Sequence, residues 1–390
     1  MRYNPASMVN RAGDLNPMPL RDDFLIREDI VFLNHSSFGA CPKPVFAEYQ
    51  AWQLELERQP VEFLLRRRKE LIPNARKEIA EYLSVLDDEV VFVTNATYGL
   101  SAALRSMPLA AGDQILTTNH EYGAVDRLME TVAKRTGADI VRHQIRLPYE
   151  SDEAFVEDFF TSATVKTKVI LMSHITSPTA LIFPVREVCQ RARELGILTV
   201  IDGAHAPGQI PLDLADIGAD VYSGNFHKWL CSPKGSAFLH VRPELQEMVE
   251  PLVISHGCRD GAGFIERHEW LGTKDIAAYL SVPAAIAYQR QRNWQSVGRE
   301  CHQLAADLQA QLCDRYDLQP LSINQFAQMV AIPLPDCDTG AVKDRLYEEY
   351  RIEVPVGRFE ERCAMRVSVQ AYNTKEELQI LVKALEEILH

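Results

Sequence analysis

No two of the eight cysteines, at positions 41, 189, 231, 258, 301, 313, 337 and 363, form a Cys-x-x-Cys pair or show metal-ligand spacing. That excludes a disulfide framework and a zinc-ribbon site, and the thiols read as free groups filling space in a reducing compartment. No apolar stretch reaches the length of a membrane span, and Met1 to Leu20 lacks the apolar core of a signal peptide. The expected location is the cytoplasm, with no membrane partner. Basic residues are in deficit, 41 against 54 acidic for a formal charge of -13. That balance favours solubility and argues against nucleic-acid binding. The one basic run, Arg66-Arg67-Arg68-Lys69, lies in a helical pattern between Phe63-Leu64-Leu65 and Leu71-Ile72 and reads as a solvated helix face. Low-complexity tracts and internal repeats are also absent.

What remains is an ordinary globular composition, 46% hydrophobic and 24% charged over 390 residues. That length fits one large domain plus a smaller one. Residues 1–28 are irregular, with Asn4-Pro5, Gly13 and Pro17-Met18-Pro19, and read as an N-terminal arm that leans on something else. From 29 to 275, short β-rich runs alternate with helical stretches: 89–93, 114–117, 169–172, 198–201 and 237–240. Such runs predict an α/β domain whose mainly parallel sheet is covered on both faces, with ligands bound beyond the carboxyl ends of the strands. From 276 to 390 the pattern changes. Val297, Cys301, Leu304, Leu308 and Leu312 share one helix face, and Leu378, Leu381, Val382, Leu385 and Ile388 share another. Thr374-Lys375-Glu376-Glu377 opens that last helix as a capping box, and strand-like runs at 329–332 and 365–369 complete a smaller α+β domain.

The chemistry is concentrated in two segments. Val200-Ile201-Asp202-Gly203-Ala204-His205 places an acid at the end of an apolar run, and Gly224-Asn225-Phe226-His227-Lys228-Trp229 places a lysine 26 residues later. A carboxylate against a pyridinium nitrogen and a lysine forming a Schiff base are the two groups that pyridoxal 5′-phosphate (PLP) requires. Asp202 would keep the ring nitrogen protonated, and Lys228 would bind the cofactor and move protons at the substrate Cα. Taken singly, Asp202 reads equally as a cap and His227-Lys228 as a surface dipeptide; the pair reads as a PLP site. Upstream, Thr94-Asn95-Ala96-Thr97-Tyr98-Gly99 follows a strand and leads into a helix. Its backbone N–H groups at Ala96 and Thr97, with a hydroxyl, suit the cofactor phosphate. Thr and Asn before a helix are otherwise simply N-caps.

With this loop, Asp202-x-x-His205 and His227-Lys228 in one order, the chain resembles the class V aminotransferase family of fold-type I PLP enzymes over nearly its whole length. It is most similar to the isopenicillin N epimerase-like branch, through Asn119-His120-Glu121-Tyr122-Gly123-Ala124, Ser173-His174-Ile175-Thr176-Ser177-Pro178-Thr179 and Gly224 to Leu230. The resemblance implies that Tyr122 stacks on the cofactor ring and that His205 and Ser177 lie at its O3′ oxygen. It also implies that Asn225 and His227 bind the phosphate. Thr273, in Leu271-Gly272-Thr273, matches a residue that binds the phosphate of the partner in a homodimer. Arg366, in Arg366-Val367-Ser368 upstream of Tyr372-Asn373-Thr374, matches the arginine that forks onto the substrate carboxylate.

Cysteine desulfurases of this family carry a catalytic cysteine on a loop well before that arginine. Here Cys363 lies three residues upstream and the loop is missing, so desulfurase chemistry is not expected. The leading reading is an enzyme acting at the Cα of an amino acid, epimerase-like, with Lys228 as one acid/base and Tyr122 or an arm residue as candidates for the opposite face. The alternative is a C–S lyase acting on cysteine, cystine or a cysteine conjugate, and ordinary transamination is the third reading. A non-enzymatic relic would be marked by failure to hold cofactor.

Overall fold

The computed structural model describes residues 20–389. The expectation of an irregular arm falls, for residues 1–19, outside the described residues. Twelve strands are described: β1 (Val31–Phe32), β2 (Val90–Val93), β3 (Gln114–Thr118), β4 (Asp139–His143), β5 (Thr167–Ser173), β6 (Leu198–Asp202), β7 (Val221–Asn225), β8 (Ala237–Val241), β9 (Met329–Pro333), β10 (Ile352–Glu353), β11 (Val356–Phe359) and β12 (Arg362–Ser368).

Seven of them form one sheet in the order β2-β8-β7-β6-β5-β3-β4. β8 runs antiparallel to both neighbours, and the other pairings are parallel. The apolar residues divide between its faces with a period of two. Phe92, Ile170, Met172, Ile201, Tyr222 and Phe238 meet Ile79, Phe159 and Val188 on one side. Val91, Val93, Val169, Leu171, Val200 and Val221 meet Leu100, Leu104, Val125 and Met129 on the other. Helices therefore bury both faces, and the sheet is mainly parallel as expected. β2, β3, β5, β6 and β7 all end at one edge of it. Thr94, Asn119, Ser173, Asp202 and Asn225 are brought to that edge together.

A second, antiparallel sheet has the order β11-β12-β9. Helices Trp294–Tyr316, Thr339–Tyr350 and Lys375–Ile388 accompany it. The last helix carries the expected capping box: Glu377 N–H donates to Thr374 Oγ1 and Thr374 N–H to Glu377 Oε2, each at 3.2 Å. β11 and β12 are joined by the tight turn Glu360-Glu361, so no long loop precedes Arg366.

A strap formed by residues 20–40 fastens the two sheets to one another. Leu20 N–H donates to Ala371 O at 2.6 Å, Phe24 packs edge-on against Tyr372, and β1 pairs in parallel with β10. Farther along, Gly39 has φ +71° and lies so close to the segment before the lysine that a Cβ would sit 1.9 Å from His227 O. Only glycine fits there.

Candidate active site

At the carboxyl edge of the large sheet, Asp202 is 4% exposed and Lys228 is partly buried. Burial lowers the Lys228 amine to about 8 against the opposing pull of Asp202, and burial raises the Asp202 carboxyl. Asp202 Oδ1 accepts from Ala204 N–H at 2.9 Å, and among the described residues Oδ2 has no donor. Lys228 Nζ is 3.3 Å from His205 Nε2. His205 is buried, and desolvation together with the cations of Lys228 and Arg366 holds it neutral, well below the usual imidazole range.

The helix Ala96–Ser106 begins beside them. Its N-cap Asn95 accepts from Tyr98 N–H at 2.8 Å, and Asn225 Oδ1 accepts from Ala96 N–H at 2.8 Å. Thr97 is left with its N–H and hydroxyl free of partners among the described residues. His227 Nδ1 donates to Ser236 O at 3.0 Å, and burial lowers its imidazole to about 4. Arg366 projects from β12 across the gap between the sheets, and its Nη1 donates to Ser177 O at 2.5 Å and Ser177 Oγ at 2.8 Å. Its Nε is buried and unpartnered, and burial lowers the guanidinium to about 10. Tyr122 is the N-cap residue of helix Gly123–Thr136 and is 47% exposed.

The family model described as Aminotransferase class-V matches residues 41–381. The chain belongs to the class V aminotransferase family. An isopenicillin N epimerase of Amycolatopsis lactamdurans is 33% identical, over 94% of this chain and 97% of that protein. A probable chloroplastic L-cysteine desulfhydrase of Arabidopsis thaliana is 27% identical, over 92% and 82%. Among solved structures, the apo cysteine desulfurase of Thermococcus onnurineus NA1 superposes with a TM-score of 0.83 at 21% identity, covering 96% of this chain and 98% of that one. That last likeness concerns the fold alone, which is the fold-type I PLP architecture.

Membership of the class V aminotransferase family makes this a PLP-dependent enzyme, and the residues present fit the cofactor. A desolvated amine suited to Schiff-base formation lies close enough to a buried carboxylate to feel its charge. That carboxylate keeps an open oxygen, and a helix N-terminus with a free N–H and hydroxyl follows the end of β2 at the same edge of the sheet. Of the two N–H groups expected at the phosphate loop, that of Ala96 is engaged by Asn225. Ser177 is found on Arg366. Thr273 is exposed, in a segment where Lys274 Nζ bonds Tyr279 Oη at 2.8 Å and Gly272 has φ +110°.

Three contributors to this region escaped the sequence reading. His35 is fully buried; its Nε2 donates to the carbonyl of Lys228 at 3.0 Å, and its Nδ1 accepts from Tyr372 Oη at 3.0 Å. Trp229 Nε1 donates to His205 Nδ1 at 3.3 Å. Glu121 accepts from Thr118 Oγ1 and Ser173 Oγ, both at 2.7 Å, and burial raises its carboxyl to about 8. The polar cluster Asn34-His35-Ser36-Ser37 and the position of Glu121 beside Tyr122 were the available signals.

Proposed function

We propose that the enzyme acts at the Cα of an amino acid and inverts that centre, as an isopenicillin N epimerase-like member of its family. The observation that carries this reading is the 33% identity to the Amycolatopsis lactamdurans epimerase over 94% of the chain. When bound, PLP draws electrons from Cα and lowers the barrier to loss of its proton. Lys228 would hold the cofactor, and its amine, once freed by the substrate amine, would take the Cα proton from its own face. A lysine lowered to about 8 has an appreciable neutral fraction near neutrality, as a base requires.

Asp202 would keep the ring nitrogen of the cofactor protonated, and Tyr122 would pack against its ring. Thr97 and His227 would hold the phosphate, with Ala96 and Asn225 joining them once the Ala96 N–H is released from Asn225 Oδ1, and Thr273 would come from the second subunit of a homodimer. His205 serves the O3′ oxygen, with Ser177 beside it. Arg366 exchanges its contacts to Ser177 for the substrate carboxylate, which suits a guanidinium with an unpartnered Nε. Inversion needs a proton donor on the face opposite Lys228, and Tyr122 is the candidate.

A second reading, cysteine or cystine C–S lyase, is supported by the Glu360-Glu361 turn, which leaves no loop for a nucleophilic cysteine, and by the desulfhydrase relative. The same Cα deprotonation expels a Cβ thiolate without such a cysteine. Cys363 is buried, its Sγ 3.5 Å from Cys337 O.

Incubation of the holoenzyme in deuterated water with alanine, cysteine, cystine and peptides that carry a free α-amine separates the readings. Inversion with deuterium at Cα and no sulfide is expected. Stoichiometric pyruvate and sulfide from cysteine or cystine, with no inversion of any amino acid, would replace the epimerase reading by the lyase.

A further inference from the structure

We propose that Trp229 is a positioning residue that fixes the tautomer of His205, making its Nε2–H a permanent hydrogen-bond donor toward the phenolic oxygen of the cofactor. The proposal rests on the reading in which His205 faces that oxygen. An indole N–H can only donate, so at 3.3 Å from His205 Nδ1 it requires a lone pair there. A neutral imidazole has a single N–H, which then falls on Nε2. Burial beside Lys228 and Arg366 opposes a second proton on the ring. Nε2 is the nitrogen that points at Lys228 Nζ, the side on which the cofactor is held.

The donor itself cannot drift. Trp229 is fully buried, its ring lies 5.0 Å from that of His35, and its carbonyl accepts from Gln289 Nε2 at 2.8 Å. A Cβ at Gly208 would stand 2.4 Å from the Trp229 carbonyl carbon, so the backbone behind it is equally confined. Among the described residues no other group donates to His205 Nδ1. Without the indole N–H the ring is free to place its proton on Nδ1, and Nε2 would then set a lone pair against an oxygen that also only accepts. The hydrogen bond that stabilises the anionic form of that oxygen would become a repulsion.

The test uses holoenzyme in which position 229 carries 3-benzothienylalanine, which keeps the bicyclic shape and replaces N–H by sulfur, alongside Trp229→Phe. Spectrophotometric titration of the lysine-bound cofactor should show its midpoint raised by about one pH unit in both variants, with PLP content unchanged. Nitrogen-15 NMR of histidine-labelled wild-type holoenzyme should report an Nε2–H tautomer for His205. In His205→Gln, whose amide supplies its own donor, the change at 229 should move the midpoint no further. An Nδ1–H tautomer in the wild type, or an equal shift at 229 in the His205→Gln background, overturns the proposal. Failure of any His205 substitution, Ala included, to move the midpoint would instead reject the reading that His205 faces the phenolic oxygen.

Discussion

Asp202, at the end of β6, and Glu121, just past the end of β3, are buried carboxyl groups on either side of β5, and burial raises both, but only Asp202 has a cation, Lys228, drawing it back. The charged groups acting on Glu121 are themselves carboxylates, Asp202 and Asp126, while His120 and His174 nearby are held neutral by burial. Glu121 therefore binds its proton more tightly in the folded protein, where it titrates at about 8, than at the ordinary 4.5. Its stabilising contribution is complete below 4.5 and is lost as pH rises toward about 8. Glu121→Gln, uncharged throughout, is expected to lose less stability than the wild type across that window, as read from denaturation midpoints at its two ends; equal losses would mean that Glu121 is ionised. Asp202→Asn should retain PLP but lose activity by roughly a hundredfold, since an amide cannot hold the ring nitrogen protonated through charge; turnover at the wild-type rate would reject that role. Borohydride reduction and peptide mapping should place the cofactor on Lys228 and not on Lys234. These residues were legible because the chemistry demands particular side chains at strand ends. Glu121, His35 and Trp229 were not, because their meaning lies in partners: His35 meets Tyr372 across 337 positions of sequence.

The β11–β12 hairpin brings Arg366 to the site and closes against the large domain. At its tip Glu360 Oε1 accepts from Asn119 Nδ2 at 2.7 Å, and Phe359 meets His120 edge-on at 4.4 Å. Glu360→Ala should loosen the aim of Arg366 and raise KM about threefold with kcat nearly unchanged, the scale of one exposed polar contact; a fall in kcat alone would contradict this. In the last helix, Thr374→Ala should lower stability by about 1 kcal/mol through loss of the cap. That cap, and the helix faces around it, could be read from local spacing. β7 could not: Ser223, Gly224 and Asn225 look like a turn, yet the strand is wholly buried because Ser223 Oγ donates to Phe238 O at 2.7 Å and Tyr222 Oη bonds His174 Nδ1 at 2.8 Å. Of the basic run, Arg66 and Lys69 are exposed as expected, whereas Arg67 pairs with Glu55 and Arg68 covers the ring of Trp270 at 4.5 Å.

For the molecule as a whole, the alternation of apolar runs and helices was enough to indicate a covered, mainly parallel sheet and a smaller second layer, since burial on two faces leaves that pattern in any sequence. How the layers are joined left no such trace, because it depends on contacts between distant segments. A homodimer with shared phosphate sites predicts that mixing Lys228→Ala chains with Thr273→Ala chains redistributes PLP affinity among the heterodimer sites. Independent behaviour of the two chains in a verified heterodimer would reject the shared site. The strap has a further consequence for synthesis on the ribosome. Arg21 pairs with Glu377, and His35 bridges Lys228 to Tyr372, so residues made first wait for partners made more than 300 positions later. The large domain can gather its sheet while the chain is still growing. The strap that braces its lysine through His35, however, is not itself anchored until Tyr372 and Glu377 have been made, so a nascent chain stalled short of that point should expose an unfinished pocket to chaperones and proteases rather than capture its cofactor.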